Sequence, residues 1–201
     1  MKAITVKQPY ASLIVYGIKD IENRTWPCPK RYIGKRVLIH ASASPVNMRN
    51  PSSVFTSPQW DSLTEEQKLL TINGVMPNGS IIGSVEIVGC VINHPSIWAE
   101  ETEDYTVGMN PKLHEAITGE KVVYNWVLAN PIIYNEPIEN VKGKLSFWDY
   151  PGIKEVKIEC PECGSIEIAV EDYTTAPFPT YLHRCNKCEY VIMESEWNVI
   201  K

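Results

Sequence analysis

Residues 8–26 read Gln-Pro-Tyr-Ala-Ser-Leu-Ile-Val-Tyr-Gly-Ile-Lys-Asp-Ile-Glu-Asn-Arg-Thr-Trp, and the rest of the chain is organised around this stretch. Pro9 suits the first position of a helix, where its missing N–H would have no partner anyway. Gly17 suits the left-handed residue just past a helix end. Three apolar residues between them fall on one helical face: Tyr10, Leu13 and Ile14. We therefore predict a short helix that packs on a core.

The residues after this helix alternate as in a β-strand. From 20 to 26 the alternation puts Glu22, Arg24 and Trp26 on one face, with Lys19 at the junction of helix and strand. An amine, a carboxylate, a guanidinium and an indole are thereby expected close together. The same spacing also fits a solvent-exposed strand face, on which a Glu–Arg pair adds little stability.

This combination of helix, glycine and charged strand resembles the opening signature of the ASCH domain. The closing part of the chain is similar to the last strands of that family at Tyr124-x-Trp126-x-Leu128-x-Asn130-Pro131, Pro137-Ile138, Gly143-Lys144 and Trp148. The resemblance covers about residues 2–150, while residues 44–79 depart from the compact family pattern as an insertion. It implies an α+β fold: a PUA-like β-barrel with short flanking helices.

Local patterns predict the other elements of this domain. Strands are expected at residues 3–7, 35–43, 80–92 and 122–134, the last interrupted at Pro131. Thr64 and Gln67 form a capping-box pattern that begins a helix over 64–72. Helical turns are expected at 95–103 and 113–117. The Pro- and Ser-rich segment 44–58 is predicted as a loop and a candidate lid.

Four cysteines near the end of the chain have the spacing of a metal site. Cys160 and Cys163 form one Cys-x-x-Cys pair, and Cys185 and Cys188 form a second. Two such pairs supply the tetrahedral sulfur set that suits Zn²⁺ and leave no open position, so the zinc is expected to be structural. We predict an ASCH domain over 1–152 and a small all-β zinc ribbon over 153–201. Strands of the ribbon are expected at 165–173, 181–184 and 189–197.

The composition is that of a globular protein, with 44% hydrophobic and 21% charged residues in 201. The sequence contains neither a membrane-length apolar run nor an apolar signal segment, which predicts a cytoplasmic protein without a membrane partner. Residues 1–50 carry nine Lys or Arg against two Asp or Glu, although the whole chain has a net charge of −5. A positive charge confined to this region favours a local site for an anionic ligand over a long phosphate track.

One interpretation of the function is an RNA- or nucleotide-binding protein. The resemblance implies a basic cleft around Lys19, Glu22 and Arg24, in which exposed aromatic residues stack on bases. The candidate ligand-binding residues are Gln8, Tyr10, Ser12, Trp26, His40, Ser42 and Trp148. The ribbon, which is acidic, is expected to add stability or to contact a protein partner.

The alternative interpretation is a hydrolase of modified nucleosides or of RNA. One branch of the ASCH superfamily removes acyl groups from cytidine with a lysine that matches Lys19, which burial and nearby Arg24 would make a weaker base. That branch has a threonine where this chain has Glu22, which could serve as a base for water or simply hold Lys19 charged. Other ASCH proteins resemble ribonucleases, for which Tyr10 and His40 are added candidates.

Overall fold

A computed structural model describes residues 1–74, 76–152, 157–173, 180–193, 196 and 198–200. The chain divides into two compact units, Met1–Tyr150 and Pro151–Lys201. Among the described residues, no helix has the length and apolar character needed to span a membrane.

The first unit is built on a curled, six-stranded sheet that forms half of a barrel. Its strands are β1 (Lys2–Val6), β2 (Ile21–Arg24), β3 (Lys35–Ala41), β4 (Ser80–Val91), β5 (Tyr124–Ile138) and β6 (Trp148–Asp149). They lie in the order β2-β5-β4-β3-β1-β6, and only the pair β1 and β3 is parallel. Three register shifts along the β4–β5 pair bend these two long strands, as bulges do.

Among the described residues, four α-helices accompany the sheet: α1 (Tyr10–Val15), α2 (Ser57–Asp61), α3 (Glu65–Asn73) and α4 (Pro111–Thr118). Two short 3-10 helices, Lys30–Tyr32 and Pro51–Ser53, lie in the connections. Helix α1 packs against β3, β4 and β5. Gly83 permits this close approach, because a Cβ there would lie 2.2 Å from the carbonyl oxygen of Ile132 and 2.8 Å from Cγ1 of Val15. The predicted capping box of Thr64 and Gln67 is present at the start of α3.

Two apolar clusters hold the first unit together. The larger lies between α1 and the sheet and includes Ile4, Ile39, Val85 and the fully buried Trp126. The second contains Leu13, Ile21, Phe55, Leu63 and Trp98. Because Phe55 and Leu63 belong to the segment between β3 and α3, the second cluster fastens this segment onto α1 and β2.

The structure corrects four details of the sequence-based prediction. Pro9 precedes the helix as its N-cap residue instead of occupying the first helical turn. Strand β2 ends at Arg24, two residues before the predicted end, since its pairing with β5 stops there and Pro27 has no N–H to continue it. Residues 95–103 form turns and no helix. Strand β5 continues through Pro131, next to Asn130 at a φ of +49°.

The described residues of the second unit form five short strands: β7 (Lys157–Glu159), β8 (Ile168–Tyr173), β9 (Thr180–Cys185), β10 (Val191–Ile192) and β11 (Asn198–Ile200). Strands β8, β9 and β10 form an antiparallel sheet, and β7 pairs with β11. Of the predicted strand 189–197, residues 194, 195 and 197 lie outside the described residues.

Candidate functional site

A cavity of about 990 Å³ opens beside β1, β2 and the end of β3. Two connecting segments complete its walls, one within residues 52–59 and the other at 141–146. The cationic side chains that line it are Lys7, Lys19, Arg24, Lys142 and Lys144, and the aromatic ones are Tyr10, Phe55 and Trp98. The volume is within the usual range of small-molecule sites, about 300–1,000 Å³.

A buried ion-pair network lies in the wall of this cavity. Glu22 is at its centre: Oε2 lies 3.6 Å from Nζ of Lys19, and Oε1 lies 3.0 Å from Nη2 of Arg24. The Lys19 and Glu22 side chains are 5% and 9% exposed, and that of Arg24 is 24% exposed. The amine of Lys19 also donates to the carbonyl oxygen of Ile21.

The end of α1 places Lys19 in this network. Gly17 has a φ of +73°, the left-handed conformation that was predicted for it. The N–H groups of Ile18 and Lys19 then both donate to the carbonyl oxygen of Leu13, which turns the chain back toward β2. Burial lowers the pKa of Lys19, and the nearby Glu22 carboxylate opposes this effect. Lys19 is therefore a weaker base than an exposed lysine.

Arg24 offers a hydrogen-bond donor that the protein does not use. Its Nη2 donates to the carbonyl oxygen of Thr5 at 2.9 Å and pairs with Glu22. Its Nε–H is buried and has no partner among the described residues. A buried donor without an acceptor costs about 1–3 kcal/mol, so an acceptor group that reached it would recover this energy.

His40 of β3 lies opposite Thr5 of β1 in the parallel pair of these two strands. Nε2 of His40 is 2.9 Å from the carbonyl oxygen of Val141, so Nε2 carries the proton in the neutral ring. Its buried Nδ1 has no partner among the described residues. Burial lowers the pKa of His40 and favours this neutral form. Gly143 abuts the ring, because a Cβ there would lie 2.5 Å from Cε1 of His40.

The aromatic wall of the cavity is fixed by contacts to the 52–59 segment. The hydroxyl of Tyr10 donates to the carbonyl oxygen of Val54 at 2.7 Å. The ring of Phe55 stands edge-on to Tyr10, with centroids 5.8 Å apart, and to Trp98 at 6.1 Å. Nζ of Lys19 lies 5.7 Å from the centre of the Tyr10 ring. The segment predicted as a loop and candidate lid thus forms a wall beside the ion-pair network.

Six of the predicted site residues line this cavity: Tyr10, Lys19, Glu22, Arg24, His40 and Ser42. The structure does not bring the other four to it. Gln8 is buried and bonded to Pro77 and Ser12, and Ser12 is buried within α1. Trp26 packs edge-on against Trp126 at 4.7 Å. The indole of Trp148 is buried, 5.6 Å from the His40 ring, and donates to Oγ1 of Thr5.

Sequence reasoning missed several of the lining residues. Phe55 and Trp98 come from segments that were predicted only as a loop and a helical turn. Lys142 and Lys144 approach from the far end of the domain, since β6 pairs beside β1. An apolar Val54-Phe55 pair within an otherwise polar segment was the one available signal that this segment packs on the domain.

The four cysteines of the second unit lie together, with all their sulfur atoms within 4.8 Å of one another. Sγ of Cys160 is 3.6 Å from that of Cys188, and Sγ of Cys163 is 3.5 Å from that of Cys185. A tetrahedral site with metal–sulfur bonds of about 2.3 Å has sulfur–sulfur edges of about 3.8 Å. This cluster could therefore hold a metal ion.

The two cysteine turns have the same backbone bonding. The N–H of Cys160 donates to the carbonyl oxygen of Ser165 at 2.8 Å, and that of Cys185 donates to Tyr190 at 2.9 Å. A left-handed residue follows each pair, Gly164 at a φ of +67° and Glu189 at +60°. Each turn thus directs two sulfur atoms toward one point.

The family model of the ASCH domain matches residues 4–138, and the chain belongs to this family. Its fold is accordingly the α+β, PUA-like fold, and the ASCH domain is an RNA-binding type of domain.

Solved structures similar to this chain include the ASCH protein from Zymomonas mobilis, with 15% identity, a TM-score of 0.42 and coverage of 75% of this chain and 87% of that one. Two mutant forms of that protein match with 15% identity and TM-scores of 0.40, covering 75% of this chain and 90% and 88% of theirs. None of the curated proteins matches.

Proposed function

We propose that this protein binds RNA or a nucleotide in the cavity beside β2. The observation that carries the proposal is the guanidinium of Arg24, which lines the cavity, is 24% exposed and is held in place by Thr5 and Glu22. A phosphate or carbonyl oxygen is the acceptor that such a donor fits. The ASCH family of the chain supports RNA as the source of that oxygen.

The rest of the lining is consistent with a nucleotide. Tyr10 is only partly buried and provides aromatic surface on one side, whereas Phe55 and Trp98 are 5% and 3% exposed; bases stack on exposed aromatic rings at about 1–3 kcal/mol each. Lys142 and Lys144 supply positive charge on the other side. A ligand with a flat apolar part and an anionic part suits both sides together.

The test is the affinity of the Arg24→Gln variant for a mixed-sequence RNA octamer and for nucleoside 5′-monophosphates. Hydrogen bonds to a charged group contribute about 1.5–3 kcal/mol, so affinity should fall about 10- to 100-fold. Arg36→Gln is the matched control, because Arg36 is also 24% exposed and pairs with Glu86 at 3.1 Å. Arg36 does not line the cavity.

Equal affinities of wild type and Arg24→Gln for these probes would contradict the proposal. So would a wild-type protein that binds neither probe. If Arg36→Gln weakened binding as much as Arg24→Gln, the loss would be a general effect of charge and the cavity would not be the site.

A second candidate function, the hydrolysis of an acylated nucleoside or of RNA, is favoured by the state of Lys19. Its amine is buried with a lowered pKa beside Glu22, so it releases a proton more readily than an exposed lysine does. In this reaction water adds to the acyl carbon and the bond to the cytidine amine breaks, or water adds to phosphorus and a P–O bond of the RNA breaks. Lys19 takes a proton from the attacking water and gives it to the leaving nitrogen or oxygen.

Mass-spectrometric turnover of acetylated cytidine, free and within RNA, tests this candidate, with RNA length followed in the same samples. The Lys19→Arg variant keeps the positive charge beside Glu22 but does not release a proton at neutral pH. Product formation should therefore fall at least 100-fold in the variant, while affinity changes only a few-fold. Absence of product from wild type, or full turnover by Lys19→Arg, would exclude this candidate.

For the second unit we propose that the four-cysteine cluster holds one structural Zn²⁺. Four thiolates and a nearly tetrahedral set of sulfur atoms suit zinc and leave no position for a substrate. Folding energy from the metal explains how so few residues form an ordered unit. The predicted division into an ASCH domain over 1–152 and a ribbon over 153–201 is part of this proposal, as is a protein partner for the ribbon.

A further inference from the structure

The outer surface next to the cavity carries a cluster of cations, of which the proposed function uses only Lys144. Lys2 is at its centre, with Nζ 2.8 Å from Oδ2 of Asp149 on the paired strand β6. The pKa of Asp149 is lowered first by this hydrogen bond, and further by the N-terminal amine and by Lys144. The same hydrogen bond raises the pKa of Lys2, and the positive charge of Arg31 opposes this effect. Three positive groups thus act on the Asp149 carboxylate, and a fourth, Arg31, lies near Lys2.

Arg31 provides a flat cationic surface within this cluster. Its guanidinium lies 4.9 Å from the centre of the Tyr32 ring. The Tyr32 ring in turn packs on Phe147, and the centres of these two rings are 3.9 Å apart. Arg31 itself is exposed. A guanidinium supported in this way can bind a phosphate at its edge or receive a base on its free face.

The cluster is continuous with the cavity through Lys144. This residue lines the cavity, and its carbonyl oxygen accepts from Oγ1 of Thr5 at 2.9 Å, which fixes the backbone of the 141–146 segment to β1. The positive charge of Lys144 also lowers the pKa of Asp149 in the outer cluster. Positive charge therefore extends from Arg24 through Lys144 to Lys2 and Arg31, with the Asp149 carboxylate in the outer part.

We propose that this surface, defined by Lys2, Arg31 and Lys144, is a backbone track for single-stranded RNA that leaves the cavity, so that the ligand is an oligonucleotide and not a mononucleotide. The proposal rests on the proposed function, since one nucleotide of the strand occupies the cavity. It adds that two or more further phosphates contact the outer surface. Lys2 and Arg31 do not line the cavity and would touch only these further nucleotides.

The experiment compares a nucleoside 5′-monophosphate with a mixed-sequence RNA octamer over a series of salt concentrations. The double variant Lys2→Gln/Arg31→Gln should bind the monophosphate as wild type does. It should bind the octamer more weakly, with a log–log salt slope reduced by about 1.4, since each phosphate contact on a single strand contributes about 0.7. Lys112→Gln/Lys121→Gln, on exposed residues outside the cavity lining, removes the same charge and should leave both affinities unchanged.

Asp149→Asn tests the same surface in the opposite direction. Removing the Asp149 carboxylate from among these cations should strengthen octamer binding and leave monophosphate binding unchanged, a gain that damage to the fold would not produce. The track is overturned if the octamer binds no more tightly than the monophosphate, or if the Lys2→Gln/Arg31→Gln variant keeps the wild-type salt slope. Those results leave the cavity site standing, whereas failure of both probes to bind wild type rejects the proposed function itself.

Discussion

At the scale of single residues, the alternating pattern after Gly17 predicted the right partners for Glu22. The sequence placed a guanidinium on its face and an amine at the preceding junction of helix and strand, and the structure has both within 3.6 Å of its carboxylate. The pattern could not predict that Trp26 leaves this face. Strand pairing ends at Arg24, and the ring of Trp26 packs edge-on against Trp126 in the core. Nor could it show the depth of burial that lowers the pKa of Lys19.

His40 leads to a prediction about pH. Burial lowers its folded-state pKa below the ordinary value of 6.5, so the unfolded chain binds a proton at a pH where the folded chain does not. The His40 contribution to stability is therefore complete above pH 6.5 and is lost as pH falls below it toward the folded pKa. Replacement by His40→Gln, which retains an N–H for Val141, should make the loss of Tm between pH 7 and 5 smaller by on the order of 2 °C.

Thermal unfolding followed by circular dichroism at several pH values checks this expectation. An identical pH dependence in wild type and His40→Gln would show that His40 titrates alike in both states. A variant that melts at a lower temperature at every pH, with an unchanged slope, would point to lost packing against Trp148 and not to titration.

At the scale of elements, sequence signals with a local cause were the most accurate. The capping box of Thr64 and the left-handed Gly17 depend on neighbouring residues only, and both are present. Elements decided by distant contacts were predicted less well. Residues 95–103 form turns because Trp98 and Asn23 hold them in place, the side-chain amide of Asn23 donating to the carbonyl oxygen of Trp98 at 2.9 Å.

The two cysteine turns lead to a prediction about metal content. If the cluster holds zinc, the purified protein should contain one zinc per chain, and Cys163→Ser should lose it because three thiolates bind far more weakly. Amide signals of the second unit should then lose dispersion in an NMR spectrum, while those of residues 1–150, a separate compact unit, remain.

Cys90→Ser is the matched control, since Cys90 is a free cysteine of the first unit that accepts a hydrogen bond from the N–H of Cys28 at 3.3 Å. It should retain the metal. A wild-type protein without bound metal, or a Cys163→Ser variant with one zinc per chain, would contradict the zinc assignment.

At the scale of the whole molecule, the sequence predicted the family and the type of fold but not how distant segments would assemble the cavity. The ASCH family was identifiable from the residues at both ends of the domain. The aromatic wall depends on the 52–59 segment, whose anchoring by Tyr10 is a contact 44 residues apart in the chain. Lys142 and Lys144 reach the site only because β6 closes beside β1.

The distribution of positive charge is wider in the folded chain than the sequence suggests. Nine of the Lys and Arg residues fall in residues 1–50, and this distribution favours a local binding site for an anionic ligand. In the folded chain some of them, with Lys144, continue over the outer surface around Asp149. The proposed site and the proposed track therefore concern one continuous surface.

The central claim is that Arg24 meets the ligand inside the cavity. Its most direct test is the side-chain Nε–H signal of Arg24 in a ¹H–¹⁵N NMR spectrum, recorded while a nucleoside 5′-monophosphate is added. Because this buried donor has no partner among the described residues, its signal should shift downfield as the ligand saturates, while that of Arg36 stays in place. Saturable binding that leaves the Arg24 signal unmoved would place the ligand elsewhere and contradict the account.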